Sequence, residues 1–105
     1  MPTVIGEPSV NQLVLHASLV GLSTPRYTPA GIPVADVLLE HESSQLEGGQ
    51  PRRVQLQLKG VAFGTVAERL TSQPMGIALQ LDGFLASNRN GKKGVVFHIQ
   101  DFKPN

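Results

Sequence analysis

Apolar and polar residues alternate with a period of two through most of the chain, a pattern that predicts strands. Over residues 10–22, Leu13, Leu15, Ala17 and Leu19 fall on one face, and His16 and Ser18 interrupt the other. A second strand is predicted from residue 34 to about 42, where Asp36, Glu40 and Glu42 share a face with Val34 and Leu38. Val37 and Leu39 occupy its opposite face. The third has the plainest alternation. Arg53, Gln55, Gln57 and Lys59 interleave with Val54, Leu56 and Leu58, so one face reads as core and the other as polar and partly cationic. A fourth strand over 77–87 turns Ile77, Leu79 and Leu81 inward, and Gly83 within it predicts a bulge or sharp coil. A fifth over 94–102 turns Val95, Phe97 and Ile99 inward.

Breaks in the pattern place the remaining elements. Residues 1–9 carry two prolines and no periodicity, and predict a flexible lead before a single domain over 10–105. Pro29-Ala30-Gly31-Ile32-Pro33 reads as a turn, and the polar stretch 43–51, with Gly48-Gly49, as a loop. After Gly60 the period changes: Phe63, Val66, Ala67 and Leu70 fit a short amphipathic helix that ends before Pro74. The order is β-β-β-α-β-β. This predicts an all-β chain, a five-stranded OB-fold barrel with a short helix between strands 3 and 4.

Composition narrows what such a barrel can do. A chain of 105 residues supports one modest core, and a net charge of +1 excludes bulk basicity of the histone kind. Any anion binding must come from local patches. With no cysteine there is neither disulfide nor thiolate chemistry, which fits a reducing cytoplasm. Neither a secretory leader nor a membrane span is expected, so a soluble cytoplasmic protein with no membrane partner is predicted.

One local patch is conspicuous. Asn88-Arg89-Asn90-Gly91-Lys92-Lys93 holds three of the chain's nine Lys and Arg residues, and Asn-Gly predicts the tip of a hairpin between strands 4 and 5. The barrel order places this tip among the usual ligand loops of the fold, so Arg89, Lys92 and Lys93 are candidate phosphate contacts. An ordinary solubilising tip is the alternative. The histidines His16, His41 and His98 lie on three strands without ligand spacing, so no metal or other cofactor is expected. Asp36, Glu40 and Glu42 are separated from His41 by strand parity, and no nucleophile accompanies them, so no enzyme activity is expected.

Several segments together resemble the primosomal replication protein N family: Asn11-Gln12-Leu13-Val14-Leu15, Thr28-Pro29-Ala30-Gly31-Ile32-Pro33, Val37-Leu38-Leu39-Glu40-His41-Glu42-Ser43 and Asn90-Gly91. The likeness covers roughly residues 10–102, and the Pro-x-Gly-Ile-Pro turn followed by Leu-Glu-His is its most specific part. It implies a homodimeric, non-catalytic protein of bacterial replication restart. Single-stranded DNA, the primosomal helicase and helicase-loading proteins are its implied partners. Carried onto this chain, the family's basic DNA contacts match Arg26, Arg52 and Arg89, with Lys92 and Lys93 in the same loop. Two departures are evident. Gln50 and Gln55 stand where other members place stacking aromatics, and Glu42 stands at a basic position. Because base stacking is worth about 1–3 kcal/mol per base, weaker and proportionally more electrostatic DNA binding is expected.

Some positions keep two readings. Arg52 and Arg53 are adjacent and should face opposite ways, the alternation favouring Arg53 as the outward residue and the resemblance favouring Arg52. Lys59 could contact DNA or be ordinary solvated surface. Tyr27 could stack on a base or close one end of the barrel, while Phe63, Phe84, Phe97 and Phe102 read as core or dimer interface. The alternatives at the level of function are a protein adaptor with weak DNA binding and an RNA-binding OB domain.

Overall fold

The computed structural model describes residues 9–88 and 94–105. In chain order the elements are β1 (Leu13–Leu22), β2 (Arg26–Tyr27), β3 (Pro33–Glu47), β4 (Gln50–Phe63), α1 (Thr65–Thr71), β5 (Ala78–Ser87) and β6 (Val95–Pro104). Hydrogen-bonded neighbours follow the order β1-β5-β6-β4-β3-β2, and β1 also pairs with β3. That last pairing closes the five long strands into the expected barrel, with α1 between its third and fourth strands. β1 makes the closure by changing partners: residues 13–18 pair with β5, and Ser18 to Leu22 pair with β3 across an irregularity between Leu19 and Gly21. A bulge there bends one strand from one half of the barrel to the other. No helix among the described residues is long and apolar enough to cross a membrane.

The inward-facing alternation builds the core. Ala17, Leu19, Ala35, Val37, Leu39, Leu79, Leu81, Phe97, Ile99 and Phe102 are buried together, with Ala67 and Leu70 of α1 covering them. Fully burying a Leu or Phe side chain contributes about 1.5–3 kcal/mol, so Leu19, Leu39, Leu79, Leu81 and Phe97 carry much of the stability. Arg69 fastens the helix to β6. Its guanidinium donates to Asp101 at 2.9 Å and to the Phe102 carbonyl at 3.1 Å, and lies 4.6 Å from the centre of the Phe102 ring.

Among the described residues, three of the motifs behind the family resemblance are structural joints. The Asn11 amide mimics a strand residue, donating to the Leu85 carbonyl at 2.8 Å and accepting from the Leu85 N–H at 3.0 Å. In the Thr28–Pro33 segment the Thr28 N–H donates to the Ile32 carbonyl, and the Ile32 N–H donates to the Thr28 hydroxyl. His41 Nδ1 lies 2.6 Å from the His16 carbonyl, which can only accept, so Nδ1 carries the proton. Its Nε2 meets the Ser43 hydroxyl at 2.7 Å. This side chain joins β1 to β3 just beyond the last backbone pair of that ladder, Ser18↔Glu40.

Four expectations change. The stretch 43–51 is not a loop. β3 continues to Glu47, β4 starts at Gln50, and only Gly48 and Gly49, at φ 59° and 79°, form the turn. Two successive positive φ values suit a tight hairpin and need glycine here. The hairpin therefore runs past the barrel as a two-stranded arm, where Leu46 is 79% and Leu56 is 39% exposed, so Leu56 is not core. Phe63 ends β4 and is not part of the helix, and Val95, at the outer end of β6, is exposed. The bulge expected at Gly83 is present, between Asp82 and Gly83 on the β6 ladder. The lead over residues 1–9, apart from Ser9, and the tip residues Arg89 to Lys93 lie outside the described residues.

Candidate nucleic-acid interface

The polar face of β4 continues further than its charged residues suggest. Arg53, Gln55, Gln57, Lys59, Val61 and Phe63 share one parity along it. Across β3 they oppose Ser44, Glu42, Glu40, Leu38, Asp36 and Val34, and across β6 Val61 opposes His98. Near the barrel this face hollows into a groove of about 750 Å³, lined among others by Arg26, Asp36, Lys59, Val61, Phe63 and His98. Val34 and Val61 are buried on the same parity, apart from the main core, and Val61 lines the groove as an apolar floor.

One wall is aromatic. The Phe84 and His98 rings stack at 4.9 Å and 12°, and the Phe63 and His98 rings lie 6.2 Å apart at 17°. These rings stand on β5, β6 and β4 in turn, neighbouring strands about 4.8 Å apart, so the column follows from the sheet spacing. Phe63 at its end is 44% exposed. Gly83 makes the close approach of β5 and β6 possible, because a Cβ there would sit 1.8 Å from the His98 carbonyl oxygen. At the groove rim Asn88 donates its N–H to the Gly94 carbonyl, the last described pair before the basic tip.

The charges of the face are mostly matched in place. Arg26 grips Asp36 through two donors, Nε to Oδ2 at 2.6 Å and a terminal nitrogen to Oδ1 at 3.1 Å. That hydrogen bond pushes the Arg26 guanidinium further above its ordinary range. Arg53 donates to Glu42 at 2.8 Å and Arg52 to Glu47 at 2.6 Å. The Gln55 amide donates to the other oxygen of Glu42 at 2.8 Å, and together with Arg53 it holds that carboxyl below its usual value. Among the described residues, no carboxylate lies within 4 Å of the Lys59 ammonium.

The predicted residues therefore separate into groups. Arg26 and Lys59 meet in the groove. Arg53 lies on the same face further out, on the arm, and Arg52 lies on the opposite face of the arm. Both arginines reach solvent because the arm has no core behind it. Tyr27 is 68% exposed on β2, so it does not close the barrel. Phe97 and Phe102 are core, as expected, whereas Phe63 lines the groove and Phe84 stacks on the groove-lining His98. Phe63 was readable only by carrying the β4 alternation two steps past Lys59, and His98 only from its outward parity on β6. Glu42 and Gln55, each a departure from the family pattern, hydrogen-bond to one another.

A family model described as another single-strand binding protein family matches residues 11–101. The replication restart protein PriB of Bordetella pertussis is 42% identical over 91 residues, covering 87% of this chain and 85% of that protein. The chain belongs to the PriB family. The crystal structure of PriB from Ralstonia solanacearum superposes with a TM-score of 0.84 at 32% identity, covering 91% of this chain and 98% of that one. The wild-type single-stranded DNA binding protein of Thermus aquaticus gives a TM-score of 0.72 at 25% identity, over 91% of this chain and 50% of its own. A PriB-family chain with the barrel of single-strand binding proteins is thus established, and its groove lies on the outer face of β4.

Proposed function

We propose that this PriB-family chain binds single-stranded DNA along the outer face of β4. In this reading it is a non-catalytic cytoplasmic accessory of replication restart that bridges DNA to the primosomal helicase and helicase-loading proteins. The observation that carries the reading is the pairing in one groove of an unmatched cation, Lys59, with an exposed aromatic wall ending in Phe63. A single strand offers the complementary set: phosphates for the cation and unpaired base faces for the ring. Arg89, Lys92 and Lys93 of the tip, which follows the groove-lining Asn88, supply further phosphate contacts. Arg26, Arg52 and Arg53 contribute only as far as their carboxylates release them. Dimerisation, which would cover the arm's exposed Leu56 on the face away from Arg53 and Gln55, completes the assembly.

Titrating labelled oligothymidylate at several salt concentrations tests this. The log K against log salt slope of single-strand binding is about −0.7 per phosphate contact, so replacing Arg89, Lys92 and Lys93 together by alanine flattens it by up to about 2. An unchanged slope and affinity would remove the tip from the site. Phe63→Ala loses about 1–3 kcal/mol if a base stacks there.

A second reading, a protein adaptor with weak DNA binding, is favoured by one observation: each predicted arginine among the described residues already holds a carboxylate. Under it, the tip variant loses helicase capture while its DNA affinity is unchanged. Competition between RNA and DNA oligomers of one sequence separates the RNA-binding alternative.

A further inference from the structure

The Arg26–Asp36 pair sits in the groove in the geometry that a phosphate would take. Asp36 engages Arg26 with both oxygens, Oδ2 on Nε at 2.6 Å and Oδ1 on a terminal nitrogen at 3.1 Å. Arginine forks recognise carboxylates and phosphodiesters through this same two-point arrangement. Both side chains remain open to water, at 42% and 36% exposure, so the pair is not locked by burial and a competing anion can reach it. Both also line the groove beside Lys59.

We propose that Asp36 is an internal competitor for backbone phosphate and sets how strongly the groove responds to charge. The inference rests on the reading that single-stranded DNA occupies this groove. In the free protein Asp36 neutralises Arg26, so Arg26 neutralises no phosphate and frees none of the cations condensed on the DNA. A phosphate arriving at Arg26 must exchange with Asp36 or settle beside its negative charge, and neither adds much to binding. The groove therefore draws its affinity from Lys59 and the aromatic wall, and a ligand without unpaired bases gains little there. Asp36 acts as a specificity-determining residue: it holds no DNA itself and weakens the response to phosphate alone.

The test is a four-protein cycle: wild type, Asp36→Asn, Arg26→Gln and the double variant, each titrated with oligothymidylate between about 50 mM and 1 M salt. Asn keeps the shape of Asp36 and one oxygen acceptor, removes the charge, and replaces the second acceptor by an NH2 donor, so the two-point grip on Arg26 is lost. Releasing one cation steepens the slope by about 0.7, which extrapolates to roughly eightfold tighter binding at 50 mM relative to 1 M. The gain is smaller in the Arg26→Gln background, where Asp36→Asn only relieves repulsion of phosphate by an unpaired carboxylate, and Arg26→Gln alone weakens binding for the same reason. An Asp36→Asn protein that binds no tighter than wild type overturns the proposal. Weaker binding does so too, by making Asp36 a positioning partner of Arg26. An equal gain without Arg26 also overturns it, by reducing Asp36 to a distant charge. If neither wild type nor Asp36→Asn binds at low salt, the groove reading fails and the proposal with it. Thermal melts of all four proteins, expected to agree within about 3 °C, show whether β2 still holds to β3; a clear fall for Asp36→Asn would make the pair structural and would also overturn the proposal.

Discussion

Gly83→Ala is expected to be among the most damaging single-methyl changes in this protein. A Cβ at Gly83 would lie 1.8 Å from the His98 carbonyl oxygen and 2.9 Å from its carbon, distances that real Cβ atoms do not show. The obstacle is backbone, so no side-chain rotation relieves it. β5 and β6 must part by more than 1 Å, at the point where the register between Asp82 and Gly83 is already shifted. Overpacking that moves backbone costs about 1–3 kcal/mol. Each ladder hydrogen bond weakened nearby adds about 0.5–1.5 kcal/mol. A total of roughly 3–4 kcal/mol corresponds to a Tm lowered by about 12–20 °C for a domain near this size. Gly60→Ala is the control. Its nearest obstacles are the Ile99 Cδ1 at 3.0 Å and the Val37 Cγ2 at 3.1 Å, ends of side chains that can give way, so about 1 kcal/mol is expected. Thermal unfolding followed by far-UV circular dichroism measures both. A Gly83→Ala protein that melts within about 3 °C of wild type, or no lower than Gly60→Ala, refutes the reasoning.

Two further outcomes follow from the charge arrangement. Lys59→Ala flattens the salt slope of oligothymidylate binding by about 0.7, a change of roughly 2.6-fold in relative affinity between 50 and 200 mM salt, whereas Arg53→Ala, already paired with Glu42, changes it much less; equal effects would contradict the distinction between matched and unmatched cations. Arg69 and the Phe102 N–H hold the Asp101 carboxyl below its usual value, so the stabilisation this gives is complete above the ordinary carboxylate range and fades as pH falls through the depressed one. The stability gap between wild type and Asp101→Asn in urea titrations should therefore close on acidification, and a gap that widens would count against it.

Much of the fold was legible because the chain obeys one period. Leu13, Leu15, Ala17 and Leu19 on β1, and Leu79 and Leu81 on β5, face where the alternation places them. Gly83 announced its bulge because only a residue without a side chain tolerates that approach. The arm was illegible for a physical reason. Residues 43–51 are polar and glycine-bearing, as a loop would be, yet the same composition suits a ribbon exposed on both sides. Leu56 looked like core since alternation reports parity and not whether anything covers the face. Phe63 was misplaced because its spacing to Val66, Ala67 and Leu70 fits a helix as well as its spacing to Lys59 and Val61 fits a strand. The arginines were legible as cations but not as ion pairs, since Asp36 lies ten residues from Arg26 and Glu42 eleven from Arg53.

Those ion pairs decide which force should dominate in the groove. One unmatched cation contributes about 0.7 to the salt slope, which at 0.15 M extrapolates to roughly fourfold, or about 0.8 kcal/mol. A base stacked on an aromatic ring is worth about 1–3 kcal/mol. If the described arginines stay with their carboxylates, Lys59 supplies one such term and the Phe63 end of the wall supplies a larger one. The absence of aromatics at Gln50 and Gln55 then does not leave the site purely electrostatic. It moves the stacking from the arm to the barrel end of β4, where Val61 provides the floor and Gly83 lets β5 and β6 come together beneath His98. On the arm, Glu42 takes the hydrogen bonds of both Arg53 and Gln55, so those two residues are engaged with the protein before any strand arrives.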